Sequence, residues 1–193
     1  MAEAATSPLP SSRLSNEART RLLEIARRAV EERLRGARFE LPADLPEELV
    51  RKTGVFVTLR RRADHELRGC VGYVEPLFPM AEAVALAAVS AATADGRFDP
   101  VALEELKGLS LDISVLGPTF PIEAKEVVVG RHGLVVEQAG RRGLLLPQVP
   151  IEWGWDARTF LEQTCRKAGL PTDAWKEKNA RLLAFEAELF GEE

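Results

Sequence analysis

Apolar positions along this chain follow two different periods. From Ser15 to Gly36 they fall three and four apart, at Leu22, Ile25, Ala26, Ala29, Val30 and Leu34, the spacing that lines one face of a helix. Ser15 can cap that helix and Gly36 can end it. After a proline-punctuated connector over 41–46 the period drops to two. Val55, Val57 and Leu59 then share one face of a strand, the polar stretch 60–66 turns, and 67–74 returns as a second strand, so the pair reads as a hairpin. An Ala-rich helix over 79–94, a loop over 95–99 and a short helix over 100–107 follow. Leu109, Leu111, Ile113 and Val115 alternate as a half-buried strand. Further strands are predicted over 127–129, 134–138 and 144–146, and a helix over 156–168, ended by Gly169 and Pro171. The tail 181–190 has helix-forming residues, yet Leu183, Phe185, Ala187 and Leu189 alternate with Ala184, Glu186 and Glu188, which predicts a strand.

Hairpins with interspersed helices specify an α+β fold of mainly antiparallel sheets with flanking helices, not a doubly wound parallel one. The expected arrangement is one compact unit over 13–193, with the Cys70 hairpin in the larger sheet, preceded by a flexible extension over 1–12. A chain of 193 residues, 46% hydrophobic and 29% charged, suits a globular domain of that size. The net charge of −4 argues against a broad nucleic-acid or anionic-lipid surface. The 1–12 segment lacks the basic start and apolar core of a signal, and no run predicts a membrane span. Two cysteines 95 positions apart form no disulfide framework, and the protein is expected to be cytoplasmic.

No dinucleotide, P-loop, zincin, nucleophile-elbow or kinase signature is present, so no cofactor is named from sequence. His65 and His132 stand beside neither cysteine, and no metal site is predicted. The segment 67–73 holds the sharpest candidate chemistry. Strand alternation puts Leu67, Val71 and Tyr73 on one face, and Arg68, Cys70 and Gly72 on the other. A guanidinium two residues from a thiol would favour the thiolate, and the glycines would let a ligand approach. On the other reading, Cys70 is a small buried filler and the glycines admit a neighbouring backbone. In the loop after the Ala-rich helix, Asp99, Pro100, Phe98 and Leu103 read as a helix cap and hydrophobic staple, leaving Asp95 and Arg97 as candidate site groups. Trp155 and Asp156 repeat the cap-and-staple device against Phe160, and Cys165 lies on an apolar helix face. His132 is a candidate base, ligand or turn residue, and Gln148 a candidate specificity group.

The segments Leu67-Arg68-Gly69-Cys70-Val71-Gly72, Asp95-Gly96-Arg97-Phe98, Ile113-Ser114-Val115-Leu116, His132-Gly133-Leu134, Leu145-Leu146-Pro147-Gln148-Val149 and Cys165-Arg166-Lys167-Ala168-Gly169-Leu170, in that order, resemble the AMMECR domain family, also called AmmeMemoRadiSam system protein A. Val71 stands where that family usually has Ile. The resemblance implies an α+β fold of two unequal subdomains with a cleft between them, and it supplies no reaction. It points to Arg68, Gly69, Cys70 and Gly72 as the motif, and to a Memo-like or radical SAM protein as a pathway partner. Two functions follow as expectations. One is a small-molecule enzyme or ligand-binding protein with its site at Arg68, Gly69, Cys70, Gly72, Asp95, Arg97, His132 and Gln148, in which Cys70 is the catalytic candidate. The other is a noncatalytic scaffold for such a protein partner. A polar pocket at Cys70 would favour the first and an exposed apolar patch elsewhere the second.

Overall fold

A computed structural model describes residues 13–192; the expected extension over 1–12 lies outside the described residues. The chain divides into two compact units, one made of Arg13–Leu116 with the residues from Glu188 onward, the other of Gly117–Ala187.

In the first unit, α1 (Asn16–Leu34) begins where the Ser15 hydroxyl accepts the Ala18 N–H at 3.1 Å, and buries Ala18, Leu22, Ile25, Ala26, Ala29 and Val30. The chain leaves it through Gly36 at φ +73°, a left-handed conformation that an L side chain resists. After a short helix α2 (Glu47–Val50), β1 (Val55–Arg61) and β2 (Leu67–Tyr73) form the expected hairpin. The helix α3 (Met80–Thr93) packs on both strands and on α1. Small side chains allow a close approach there: a Cβ on Gly69 would lie 2.2 Å from the Ala91 carbonyl oxygen. Strand β3 (Leu109–Leu116) pairs antiparallel with β1, and β8 (Ala187–Gly191) completes the sheet in the order β2-β1-β3-β8. Val55, Val57, Leu59, Leu111 and Ile113 are fully buried on its helical side.

The second unit holds a sheet of β4 (Phe120–Pro121), β5 (Gly133–Gln138), β6 (Arg141–Leu145) and β7 (Arg181–Phe185), in the order β4-β7-β5-β6. A short helix α4 (Gln148–Glu152) follows β6. The helix α5 (Ala157–Lys167) starts at Asp156, whose carboxylate accepts the Thr159 N–H at 2.7 Å, and it packs on β5 and β6. Phe160, Leu134, Leu161 and Ala184 form the core here, with Trp155 packed against them as the staple predicts. Cys165 is fully buried with Val136 and Ala168.

Both sheets have four strands, and the Cys70 hairpin lies, as expected, in the larger one, whose strands β2-β1-β3-β8 have 7, 7, 8 and 5 residues against 2, 5, 6 and 5 in β4-β7-β5-β6. Three expectations are corrected. The helix expected over 100–107 is only a 3-10 turn at Glu105–Gly108, and Asp99 caps nothing. The segment 127–129 is no strand; it follows a 3-10 turn at Ala124–Glu126 and enters the turn before β5. The tail breaks at Glu186 into β7 and β8, which join different sheets, and its alternation does not hold: Ala184 is fully buried and Leu189 is 53% exposed.

Candidate functional site

Alternation along β1 turns Val55, Val57 and Leu59 into the core and Phe56, Thr58 and Arg60 to the opposite face. Register then sets the neighbours of Cys70. Thr58 stands opposite Cys70 on β2 and opposite Asp112 on β3, which makes a Cys–Thr–Asp row across three strands. The Thr58 Oγ1 donates to Cys70 Sγ at 3.3 Å, and Arg60 Nε lies 3.4 Å from Asp112 Oδ2.

The loop 95–99 is tied to the outer edge of β2 by Asp95, whose side chain is only 7% exposed. One carboxylate oxygen accepts the Cys70 N–H at 2.8 Å and Arg97 Nη2 at 2.6 Å; the other accepts Arg97 Nε at 2.9 Å and the Arg97 N–H at 3.2 Å. Arg97 Nη2 also reaches the Cys70 carbonyl at 3.4 Å. An acceptor on the strand N–H and a donor on its C=O mimic a neighbouring strand and close an edge that would otherwise recruit one. Arg68 secures the same loop from the strand side. Its guanidinium makes a bidentate pair with Glu105, at 2.6 and 3.1 Å, and donates to the Asp99 carbonyl at 2.9 Å. The Phe98 ring lies 5.9 Å from the Arg68 guanidinium and 5.4 Å from that of Arg97, within cation–π range.

The expected activation of Cys70 by Arg68 is therefore corrected. Arg68 is committed to Glu105, Asp99 and Phe98, and the cations acting on the thiol are Arg97 and Arg60. Burial pushes the half-buried thiol up from its ordinary 9.0, against the Thr58 hydrogen bond and those two arginines, so it is protonated at neutral pH. Such a thiol packs and hydrogen-bonds but supplies little nucleophile. Asp95 moves the other way: its hydrogen bonds from Arg97, with that from the Cys70 N–H, hold its carboxyl well below the ordinary carboxylate value. Burial raises Asp112.

The space beside the motif glycines is filled. Ala91 sits over Gly69, while the Val55 carbonyl and the Phe56 ring would meet a Cβ on Gly72 at 2.3 and 2.5 Å. Arg68, Gly69, Cys70, Gly72, Asp95 and Arg97 thus come together in the first unit, whereas His132 and Gln148 belong to the second. His132 is buried in a turn, where its Nδ1 accepts the Val128 N–H at 3.2 Å and its ring meets Phe120 edge-on at 5.9 Å; burial lowers its pKa. Gln148 is half-buried at the start of α4. Thr58, Glu105 and Asp112 escaped the sequence reading, and Arg60, read as part of the hairpin turn, lies within β1; pairing the predicted hairpin would have placed Thr58 opposite Cys70. Among the described residues no three His, Cys, Asp or Glu side chains group to hold a metal, and no helix is long and apolar enough to cross a membrane.

The second unit presents a different kind of surface. Ile151, Trp153 and Val128 are 61%, 69% and 50% exposed, and Trp153 stacks on Trp155 with ring centroids 6.0 Å apart. Ile151 packs at Gly130, within the turn that carries Val128.

The model of the AMMECR1 family matches residues 23–190. A protein of Thermococcus gammatolerans is 50% identical over 182 residues, 89% of each chain, and one of Methanothermobacter thermautotrophicus is 48% identical over 92% of this chain and 95% of its own. The crystal structure of an uncharacterized protein from Pyrococcus horikoshii superposes with a TM-score of 0.88 at 46% identity, covering 93% of this chain and 94% of that one.

Proposed function

The chain belongs to the AMMECR1 family, and from that premise we propose that it is a noncatalytic interaction protein. Its cysteine motif braces the first unit, and its contact surface lies on the second. The observation that carries this reading is the exposed apolar group of Ile151, Trp153 and Val128. Large apolar side chains left in water and clustered, with an aromatic pair among them, are the composition of a docking surface. The motif contributes the complementary point, because its charged residues pair with one another and its thiol is protonated. The partner class implied by the family resemblance is a Memo-like or radical SAM protein, in the cytoplasm.

Titration calorimetry of the full chain with the Memo-like and the radical SAM protein of the same organism tests this. Saturable binding to one of them should weaken at least tenfold in Trp153→Ala with Ile151→Ser, as expected of an aromatic anchor. Cys70→Ser should bind as the wild type. The double variant should unfold within about 2 °C of it, since surface changes stay within about 0.5 kcal/mol. Binding to neither protein, binding unchanged in the double variant, or binding abolished by Cys70→Ser would each overturn the reading.

A second reading, a small-molecule-binding protein at the motif, is favoured by one observation. The half-buried Cys70 thiol sits in a polar row with Thr58 and Asp112, beside Arg97, whose side chain is 56% exposed. Native mass spectrometry of the purified protein decides it: a retained metabolite lost in Arg97→Ala supports this reading, and its absence removes it.

A further inference from the structure

The two edges of the first unit's sheet are finished differently. On β2 the outer side is closed by Asp95 and Arg97. On β8 it is open. The Gly117 N–H donates to the Glu186 carbonyl at 2.8 Å and the Glu192 N–H to the Leu111 carbonyl at 3.0 Å, so the even-numbered residues of this stretch bond toward β3. By the strand's period of two, Ala187, Leu189 and Gly191 direct N–H and C=O outward, and among the described residues nothing pairs with them. Leu189 is 53% exposed, and Gly191 is exposed as well. The strand carries neither Pro nor Lys, the residues that commonly block such an edge.

Its charges are already matched. Glu188 pairs with Arg19 at 2.6 Å and accepts the Leu14 N–H at 3.0 Å, Glu192 pairs with Arg27 and Arg62, and Phe190 packs against the core. These contacts put Glu188, Phe190 and Glu192 on the α1 side of the sheet and Leu189 on the other. We propose that the β8 edge pairs with β8 of a second copy of this chain, antiparallel about a twofold axis at Leu189, so that two four-stranded sheets become one of eight. The spacing of the outward groups names the occupant. Placed symmetrically about Leu189, they make the edge its own complement, which is what a twofold interface requires. Ala187 meets Gly191 and Leu189 meets Leu189, each pair exchanging two hydrogen bonds. The two Leu189 side chains, now in water, cover one another, and Glu188 falls opposite Phe190 instead of a second carboxylate. The edge shares no residue with the Val128, Ile151 and Trp153 surface and does not depend on the function proposed above.

Sedimentation velocity of the full chain from about 1 to 200 µM tests this, because a dimer is concentration-dependent. A reversible dimer with a Kd on the order of 10 µM is expected, the strength of a small interface. Leu189→Pro removes an outward N–H at a place where an edge strand tolerates proline, and should weaken the dimer at least tenfold. Leu189→Lys keeps the backbone donor at an exposed position, so it folds even if the proline variant does not. It sets two ammonium groups across the axis and should also weaken the dimer about tenfold, a loss that about 0.5 M potassium chloride should partly recover. Trp153→Ala with Ile151→Ser should dimerise as the wild type. A monomer at every concentration, or a dimer as tight in Leu189→Lys as in the wild type, would overturn the proposal. Loss of the dimer in the Trp153 and Ile151 double variant would overturn it too, and would place the second copy on that surface instead.

Discussion

The loop 95–99 and the segment 151–155 each carry conspicuous residues, and the two use them in opposite ways. In the first, Asp95, Arg97 and Phe98 turn onto β2, where Asp95 takes the Cys70 N–H and Phe98 lies beside two guanidiniums. In the second, Ile151 and Trp153 face water and do little for the core. Charged residues in a motif need not be reagents; here they close a sheet edge, while Ile151 and Trp153 stay largely in water.

The largest effect should come from packing the clamp too tightly. Gly69→Ala forces a methyl group onto the Ala91 carbonyl and should cost about 3 kcal/mol, lowering the melting temperature by roughly 6–12 °C, whereas Gly96→Ala in the facing loop has open space and should change little. Equal melting temperatures for the two variants in calorimetry would show that β2 and α3 are not locked together.

Asp95→Asn should cost about 2 kcal/mol at pH 7, because it weakens the bonds to Cys70 and Arg97 while Arg97 remains partly solvated. Its pH dependence is the sharper signature. The folded carboxyl titrates below its ordinary 3.8, so its stabilisation is present at neutral pH, begins to fade as the pH falls toward 3.8, and is gone only below the depressed folded value. Denaturant unfolding from pH 6 to pH 2 should therefore show a shallower decline for Asp95→Asn than for the wild type. Parallel curves would remove Asp95 from the clamp.

The smallest effect concerns the thiol. Iodoacetamide labelling of Cys70 should have its midpoint above pH 9.0, move higher in Thr58→Val, and stay in place in Arg68→Lys, with Cys165 unlabelled until unfolding. A midpoint below 9.0, read by peptide mass spectrometry, would turn the motif back into a reactive site and erase the contrast with 151–155.

Much of the fold was legible because one-sided burial imposes a period. The stripe from Leu22 to Leu34, the alternation of Val55, Val57 and Leu59, and the caps Ser15 and Asp156 all appear where the pattern puts them. Period says which face a side chain takes but not which strand lies beside it, and so the tail read as one strand serves two sheets. The site follows the same rule. Alternation placed Arg68 and Cys70 on a common face, but Glu105, 37 residues away, claims the guanidinium. That contact arises from tertiary packing and leaves no trace in local spacing. The 100–107 segment failed for a related reason: its cap chemistry was plausible locally, yet the Asp99 carbonyl is taken up by Arg68 instead.

The placement of β8 has a consequence for how the protein is made. The Arg13–Leu116 unit is finished by residues at the far end of the chain, where Glu192 engages Arg27 and Arg62 and accepts the Leu111 N–H. During synthesis, at roughly 5–20 residues per second, β3 emerges several seconds before the strand that covers its flank. The newborn chain must keep that edge open while the whole 117–187 segment is translated, so the first unit to be synthesised is the last to close.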